Sequence, residues 1–175
     1  FNISGLVDLP GKFQVSFISS IGTKGPLVPG IPTIDLDGDG SSGEPLPGVS
    51  FKKPFNKGLG KDDLTRLINE FNTKYAGATT SRNQRVPTLG QPSDYEFGEH
   101  FLSQDFRVSR PINFGERVKL NVFAEVFNAF NIANRGGHSF DLVNTAAFGK
   151  PTNRAGQIFG SGGPRAFQLG ARLSF

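Results

Sequence analysis

Arg165-Ala166-Phe167-Gln168-Leu169-Gly170-Ala171-Arg172-Leu173-Ser174-Phe175 is the stretch whose reading decides the fold. Phe167, Leu169, Ala171, Leu173 and Phe175 form one apolar row, and Ala166, Gln168, Gly170, Arg172 and Ser174 form a small or polar one. That is the period-two pattern of a β-strand. A strand of about 9–11 residues with one apolar face has the length of a stave in a membrane-spanning barrel. A half-buried strand of a soluble sandwich shows the same period, so alternation alone leaves both architectures open.

Working upstream, residues 118–128 repeat the pattern with more regularity. Val118, Leu120, Val122, Ala124 and Val126 oppose Lys119, Asn121, Phe123, Glu125 and Phe127. A further strand is expected near 101–110, with Leu102, Phe106 and Val108 on one side and Ser103, Asp105, Arg107 and Ser109 on the other. Gln104 interrupts its apolar row, and Pro111 to Arg117 is read as a short connection. At the other end of the chain, residues 1–9 and 12–20 alternate around Pro10-Gly11 and predict a hairpin. Between the strands lie two long loops, 21–94 and 131–164. The first contains one helical pattern, Asp62 to Tyr75, in which Leu64, Leu67, Ile68, Phe71 and Tyr75 share a face, with Asp62 as its cap and Gly77 as its stop.

The connections therefore run short, long, short, long. Nothing in a sandwich requires that order, whereas outer-membrane barrels have short periplasmic turns and long extracellular loops. The predicted fold class is all-β: an antiparallel up-and-down transmembrane barrel segment of about five strands, with long extracellular loops and one short loop helix.

Composition supports β structure with many turns, with 18 Phe, 23 Gly and 12 Pro in 175 residues. The length predicts one fold unit. With no cysteine, disulfides and thiol chemistry are excluded. The absence of Met, with strand pattern already present at Phe1, leads to the expectation of a processed chain or a piece of a longer one. The net charge of +4 is spread rather than striped, so no nucleic-acid partner is predicted. No apolar run approaches the roughly 20 residues of a transmembrane helix.

Candidate sites are few. Asp35, Asp37 and Asp39, spaced at i, i+2 and i+4 and followed by Gly40, open like a calcium loop, because a hard cation needs converging oxygens and glycine permits the bend. The twelfth position of such a loop falls on Leu46 rather than Glu, which leaves Glu44 or backbone carbonyls to complete the set. His100 and His138 are the two imidazoles, read as solvated or lumen-lining residues. The glycine-rich Phe159 to Pro164 is read as a loop, since no Gly-Lys-Ser/Thr follows it. Asp105, Arg107, Lys119, Glu125 and Arg172 fall on polar strand faces, where a barrel would use them to line the lumen. No nucleophile, base and orienter come together, so no catalytic residue and no enzyme is predicted.

Four segments in order carry a family resemblance: Arg107-Val108-Ser109-Arg110, Phe114-Gly115-Glu116-Arg117-Val118-Lys119-Leu120, Ala124-Glu125-Val126-Phe127-Asn128-Ala129-Phe130-Asn131, and Gln168 to Phe175. Together they resemble the carboxyl-terminal end of TonB-dependent outer-membrane receptors of the Oar-like, carboxypeptidase-regulatory-like group. The resemblance covers residues 95 to 175, and more loosely the first hairpin and Asp35 to Gly40.

It implies a barrel of about 22 strands around a plug, this chain supplying the last five. It also implies uptake of a substrate across the cell outer membrane. The partners would be the lipid bilayer, the remaining barrel and plug, and the TonB energy-coupling complex acting through an amino-terminal part. Phe167, Leu169, Ala171, Leu173 and Phe175 would be the signal read by the barrel-assembly machinery. Two alternatives from other classes are a structural or adhesive surface protein assembling through strand edges, and a soluble β-sandwich that binds sugar.

Overall fold

Alternation becomes one continuous antiparallel sheet. The computed structural model describes residues 1–154, 156 and 160–175. In chain order its elements are β1 (Asn2–Leu9), β2 (Phe13–Gly22), β3 (Gly30–Ile31), β4 (Glu44–Pro45), α1 (Lys61–Tyr75), β5 (Phe101–Phe114), β6 (Val118–Phe127), β7 (Arg135–Gly136), β8 (Asn153–Arg154) and β9 (Ala166–Ser174). Strands β1, β2, β5, β6 and β9 pair in that order as an antiparallel meander, and β3–β4 and β7–β8 are two-stranded ladders. The fold is thus largely antiparallel β-structure with one helix. Both short turns lie at one end of the meander, and both long connections leave from the other.

Two compact units divide the chain. The sheet unit comprises Phe1–Thr23, Glu99–Gly136 and Asn153–Phe175, and the loop unit comprises Lys24–Gly98 and Gly137–Thr152. The loops fold on a hydrophobic core of their own, including Ile31, Leu46, Phe55, Leu64, Ile68, Phe71, Leu142 and Phe148.

Register gives the meander two chemically distinct faces. Val7 pairs with Val15, Val15 with Val108, Val108 with Ala124, and Ala124 with Leu169, so one apolar row crosses all five strands. On the opposite face Arg107 pairs with Glu125, and Glu125 with Gln168. Side chains of the apolar face are exposed: Leu169 is 82 % exposed and Phe167 73 %. The buried side chains of the described sheet unit are instead polar, those of Ser19, Ser103, Asp105, Ser109, Asn128 and Asn134, while every buried apolar side chain belongs to the loop unit. This inverts the pattern of a soluble sheet. Ser19 and Gln104, the polar pair on the apolar face, satisfy each other through a 2.6 Å bond from Gln104 Nε2 to Ser19 Oγ.

Strand β5 runs beyond the expected boundary at 110, through Pro111 to Phe114. Its pairing with β2 ends at Ser109 opposite Gln14, and only β6 accompanies it further. Pro111 therefore sits on a local edge, where its missing N–H breaks no ladder on the open side. Two glycines lie under aromatic rings: Gly5 opposite Phe17 and Gly170 opposite Phe123. In both pairs a Cβ on the glycine would collide with the ring, so the ring supplies the packing that the missing side chain does not.

In the loop unit, α1 buries Leu64, Leu67, Ile68 and Phe71 as its spacing requires. Each such side chain contributes about 1.5–3 kcal/mol when fully buried. The helix starts one residue earlier than expected and is capped differently. Gly60 is the N-cap, and Asp63 Oδ2 accepts its N–H at 2.9 Å, so the carboxylate that closes the first turn is Asp63 rather than Asp62. Gly77, at φ +79°, follows the last turn as expected. Among the described residues no helix is long and apolar enough to cross a membrane.

Candidate functional site

The charged residues expected on polar strand faces do share one face of the meander. Arg107 and Glu125 are directly opposite and form an ion pair at 3.0 Å, Arg107 Nη1 to Glu125 Oε1. The guanidinium also lies over the Phe123 ring, 4.0 Å from its centroid. A recess of about 290 Å³ beside the pair is lined by Ser16, Ile18, Asp105, Arg107, Glu125 and Phe127. Lys119 and Arg172 are exposed on this face and enter no ion pair among the described residues.

Asp105 behaves differently. Its carboxylate is buried and accepts bonds from Ser103 Oγ at 2.9 Å, from the Asn128 N–H at 2.8 Å and from Ser161 Oγ. It belongs to a polar knot at the long-loop end of β5 and β6. Asn134 binds the backbone of Leu102 at both its N–H and its carbonyl, 2.8 and 2.9 Å, and also donates to the Gly162 carbonyl. Asn128 donates to the carbonyls of Ile132 and Gly163 and accepts the Ile132 N–H. Buried backbone groups that have left the ladder need partners, and these two amides supply them. Sequence reading did not single out either asparagine. The available signal was amide residues at positions 128, 131 and 134, directly after a strand.

In the loop unit, Asp35, Asp37, Asp39 and Glu44 each bring one carboxylate oxygen within 4.8 Å of the others, and they are the one such group among the described residues. The local fold follows from the glycines. Gly38, Gly40 and Gly43 take φ of +84°, +100° and +107°, values that only glycine adopts freely, and they wrap the chain around Asp35. Asp35 is fully buried; its Oδ1 accepts the Gly38 N–H at 2.7 Å and its Oδ2 the Gly40 N–H at 3.1 Å. Arg82 Nε approaches Oδ2 at 3.3 Å, and Gln84 accepts the Asp35 N–H. Glu44 is held by its place in β4, opposite Ile31.

The electrostatics show the crowding. Burial, together with the charges of Asp37, Asp39 and Asp35, pushes the Glu44 carboxyl above its ordinary range. Asp39 moves the other way, because the Ser41 side chain and backbone both donate to it. Four hard oxygen donors around one small space suit calcium, which takes six to eight oxygens, with backbone carbonyls and water completing the shell. Gln84, 49 residues downstream of Asp35, and Arg82 support the loop without any signal in its own spacing.

His100 is exposed, and His138 stacks on Phe140 with its Nε2 buried and without a partner among the described residues. Neither histidine joins the carboxylate group. Phe159 lies outside the described residues; Gly160 to Pro164 is irregular chain, and its Gly162 N–H donates to Ser103 Oγ at 2.9 Å. The apolar row Phe167, Leu169, Ala171, Leu173 and Phe175 is exposed throughout. No protein-family model, curated protein or solved structure matches the chain.

Proposed function

We propose that the meander is the carboxyl-terminal portion of an outer-membrane β-barrel receptor of the TonB-dependent class, and that the loop unit is a separately folded domain formed by its long connections. The observation that carries this reading is the apolar row that crosses all five strands and stands exposed at Val7, Val108 and Leu169, while the opposite face holds buried Asp105 and the Arg107–Glu125 ion pair. Lipid is the solvent that suits such a face. Rows of aromatics bound it, with Phe1 and Phe167 toward the long loops and Phe13, Phe114 and Phe175 toward the short turns. The eight residue steps from Phe167 to Phe175 span about 26 Å, comparable to the apolar band of such barrels.

Strands β1 and β9 are the outer strands of the meander, and each leaves one backbone edge open. In hydrocarbon an open edge costs several kcal/mol per unpaired group, so the remaining staves must cover both. The same edges support the second reading, assembly between chains into a surface filament. Within the receptor reading, the Asp35, Asp37, Asp39 and Glu44 group binds calcium and rigidifies the loop domain, and the transported substrate meets the loops before the lumen.

Cysteine accessibility tests the reading in the full-length protein, because these 175 residues contribute no cysteine of their own. In intact outer membranes, Leu169→Cys is expected to resist a water-soluble maleimide, while Gln168→Cys on the lumen face reacts. Equal reactivity of the two overturns the barrel. Sedimentation of the assembled protein without detergent would favour the filament.

A further inference from the structure

The apolar face carries one charged side chain among its described residues, Arg110. It stands opposite Val122 on β6, follows Val108 and precedes Ile112 on the same face of β5, and adjoins the Phe13 end of β2. Its guanidinium lies 5.0 Å from the Phe13 ring centroid, and its Nε donates to the Gly11 carbonyl at 3.2 Å. No carboxylate pairs with it among the described residues, so both terminal nitrogens remain without a protein acceptor. Gly11 belongs to the β1–β2 turn, which places this cation beside Phe13 at the turn end of β2, while β5 continues on the same face through Ile112 to Phe114.

Hydrocarbon does not tolerate an unpaired guanidinium, and a cation on a lipid-directed surface is stable only where it reaches the interface. An arginine with two free, coplanar donors matches the oxygens of a phosphate better than a lysine does. Resting on the barrel reading above, we infer that Arg110 binds the headgroup phosphate of a phospholipid in the leaflet on the short-turn side. Phe13 shields one side of the contact and the Gly11 carbonyl orients the fork. The residue thereby sets the depth of the sheet in the bilayer.

The test uses the full-length protein reconstituted in vesicles of phosphatidylethanolamine doped with phosphatidylglycerol, then extracted gently and weighed by native mass spectrometry. Arg110→Gln is expected to lower the fraction carrying a bound phospholipid about tenfold, the weight of one charge-assisted hydrogen bond. Arg110→Lys should recover part of it, and Lys119→Gln, on the opposite face, should leave it unchanged. Folding of each variant is checked by heat-modifiable gel mobility. Unchanged lipid retention in folded Arg110→Gln overturns the phosphate site while leaving the barrel intact. Failure of the barrel itself shows separately, as equal maleimide reactivity of Leu169→Cys and Gln168→Cys.

Discussion

Phe123 lies across Gly170, its directly opposed partner in the β6–β9 ladder, and carries the Arg107 guanidinium over its ring. Glycine thus clears the space that the ring occupies, and the ring orients the arginine that pairs with Glu125. Gly170→Ala is expected to displace Phe123 and to destabilise the sheet by about 1–3 kcal/mol, the cost of overpacking. Phe123→Ala in the same background should remove most of that penalty. Urea unfolding of the four members of this cycle, in one detergent, gives the coupling; additive effects would show that the ring and the glycine act independently.

The polar knot gives a second expectation. Asn134 satisfies both backbone groups of Leu102, so Asn134→Ala leaves a buried N–H and two carbonyls without partners. Each unsatisfied group costs about 1–3 kcal/mol. Hydrogen exchange at the Leu102 amide should accelerate by at least an order of magnitude, whereas the amide of Val122, in the middle of β6, should be unaffected.

These two sites differ in how far the sequence reveals them. Strands β6 and β9 are legible because alternation runs unbroken through Val118–Phe127 and Ala166–Ser174. The end of β5 is hidden by Pro111, whose tolerance depends on where β2 stops, a fact of the neighbouring strand. The calcium-like spacing of Asp35, Asp37 and Asp39 is local and readable, but the Arg82 and Gln84 that support Asp35 arrive through tertiary contact. The core of the loop unit is the least legible part. Ile31, Leu46, Phe55 and Phe148 come from segments with neither helical nor strand period, so their shared burial leaves no periodic trace.

Calcium should bind in a pH-dependent way. Glu44 has a folded-state pKa raised above its ordinary value of 4.5, so the protonated form is favoured in the fold. Its contribution to apo stability is therefore full below that ordinary value and is lost as pH rises through the raised one. Calcium needs the ionised carboxylate and must displace that proton. Calorimetric titration is expected to show affinity weakening as pH falls through the raised Glu44 pKa, with proton release on binding. Glu44→Gln should abolish the pH effect and weaken binding; no heat at millimolar calcium near neutral pH removes the site.

Glu96 supplies the opposite sign. Hydrogen bonds from Lys24 and Lys61, both at 2.9 Å, hold its carboxyl down to about 2 from the ordinary 4.5. A depressed carboxylate stabilises the fold above its unfolded pKa, and that contribution fades as pH falls from 4.5 toward 2. The side chain is more than half exposed, so solvent screening keeps the contribution within about 1 kcal/mol. Glu96→Gln is expected to lower the melting temperature of the loop unit slightly at neutral pH, and the difference from the parent protein should vanish near pH 2. A difference that persists there would assign the effect to packing against Lys61 and Tyr95 instead.

The row that decides the fold also yields the sharpest contrast between neighbours. Leu169 is 82 % exposed and lies near the middle of β9, opposite Ala124, whereas Gln168 lies on the other face opposite Glu125. If the apolar face meets lipid, Leu169→Arg costs about 2–4 kcal/mol near the bilayer midplane. Gln168→Arg enters a polar surface beside Glu125 and should be nearly neutral. If the same face met water, Leu169→Arg would be harmless, because an exposed leucine contributes little there. Folding titrations of both variants into lipid vesicles therefore read the solvent of this face directly: a loss confined to position 169 identifies hydrocarbon, and equal stability of the two variants identifies water.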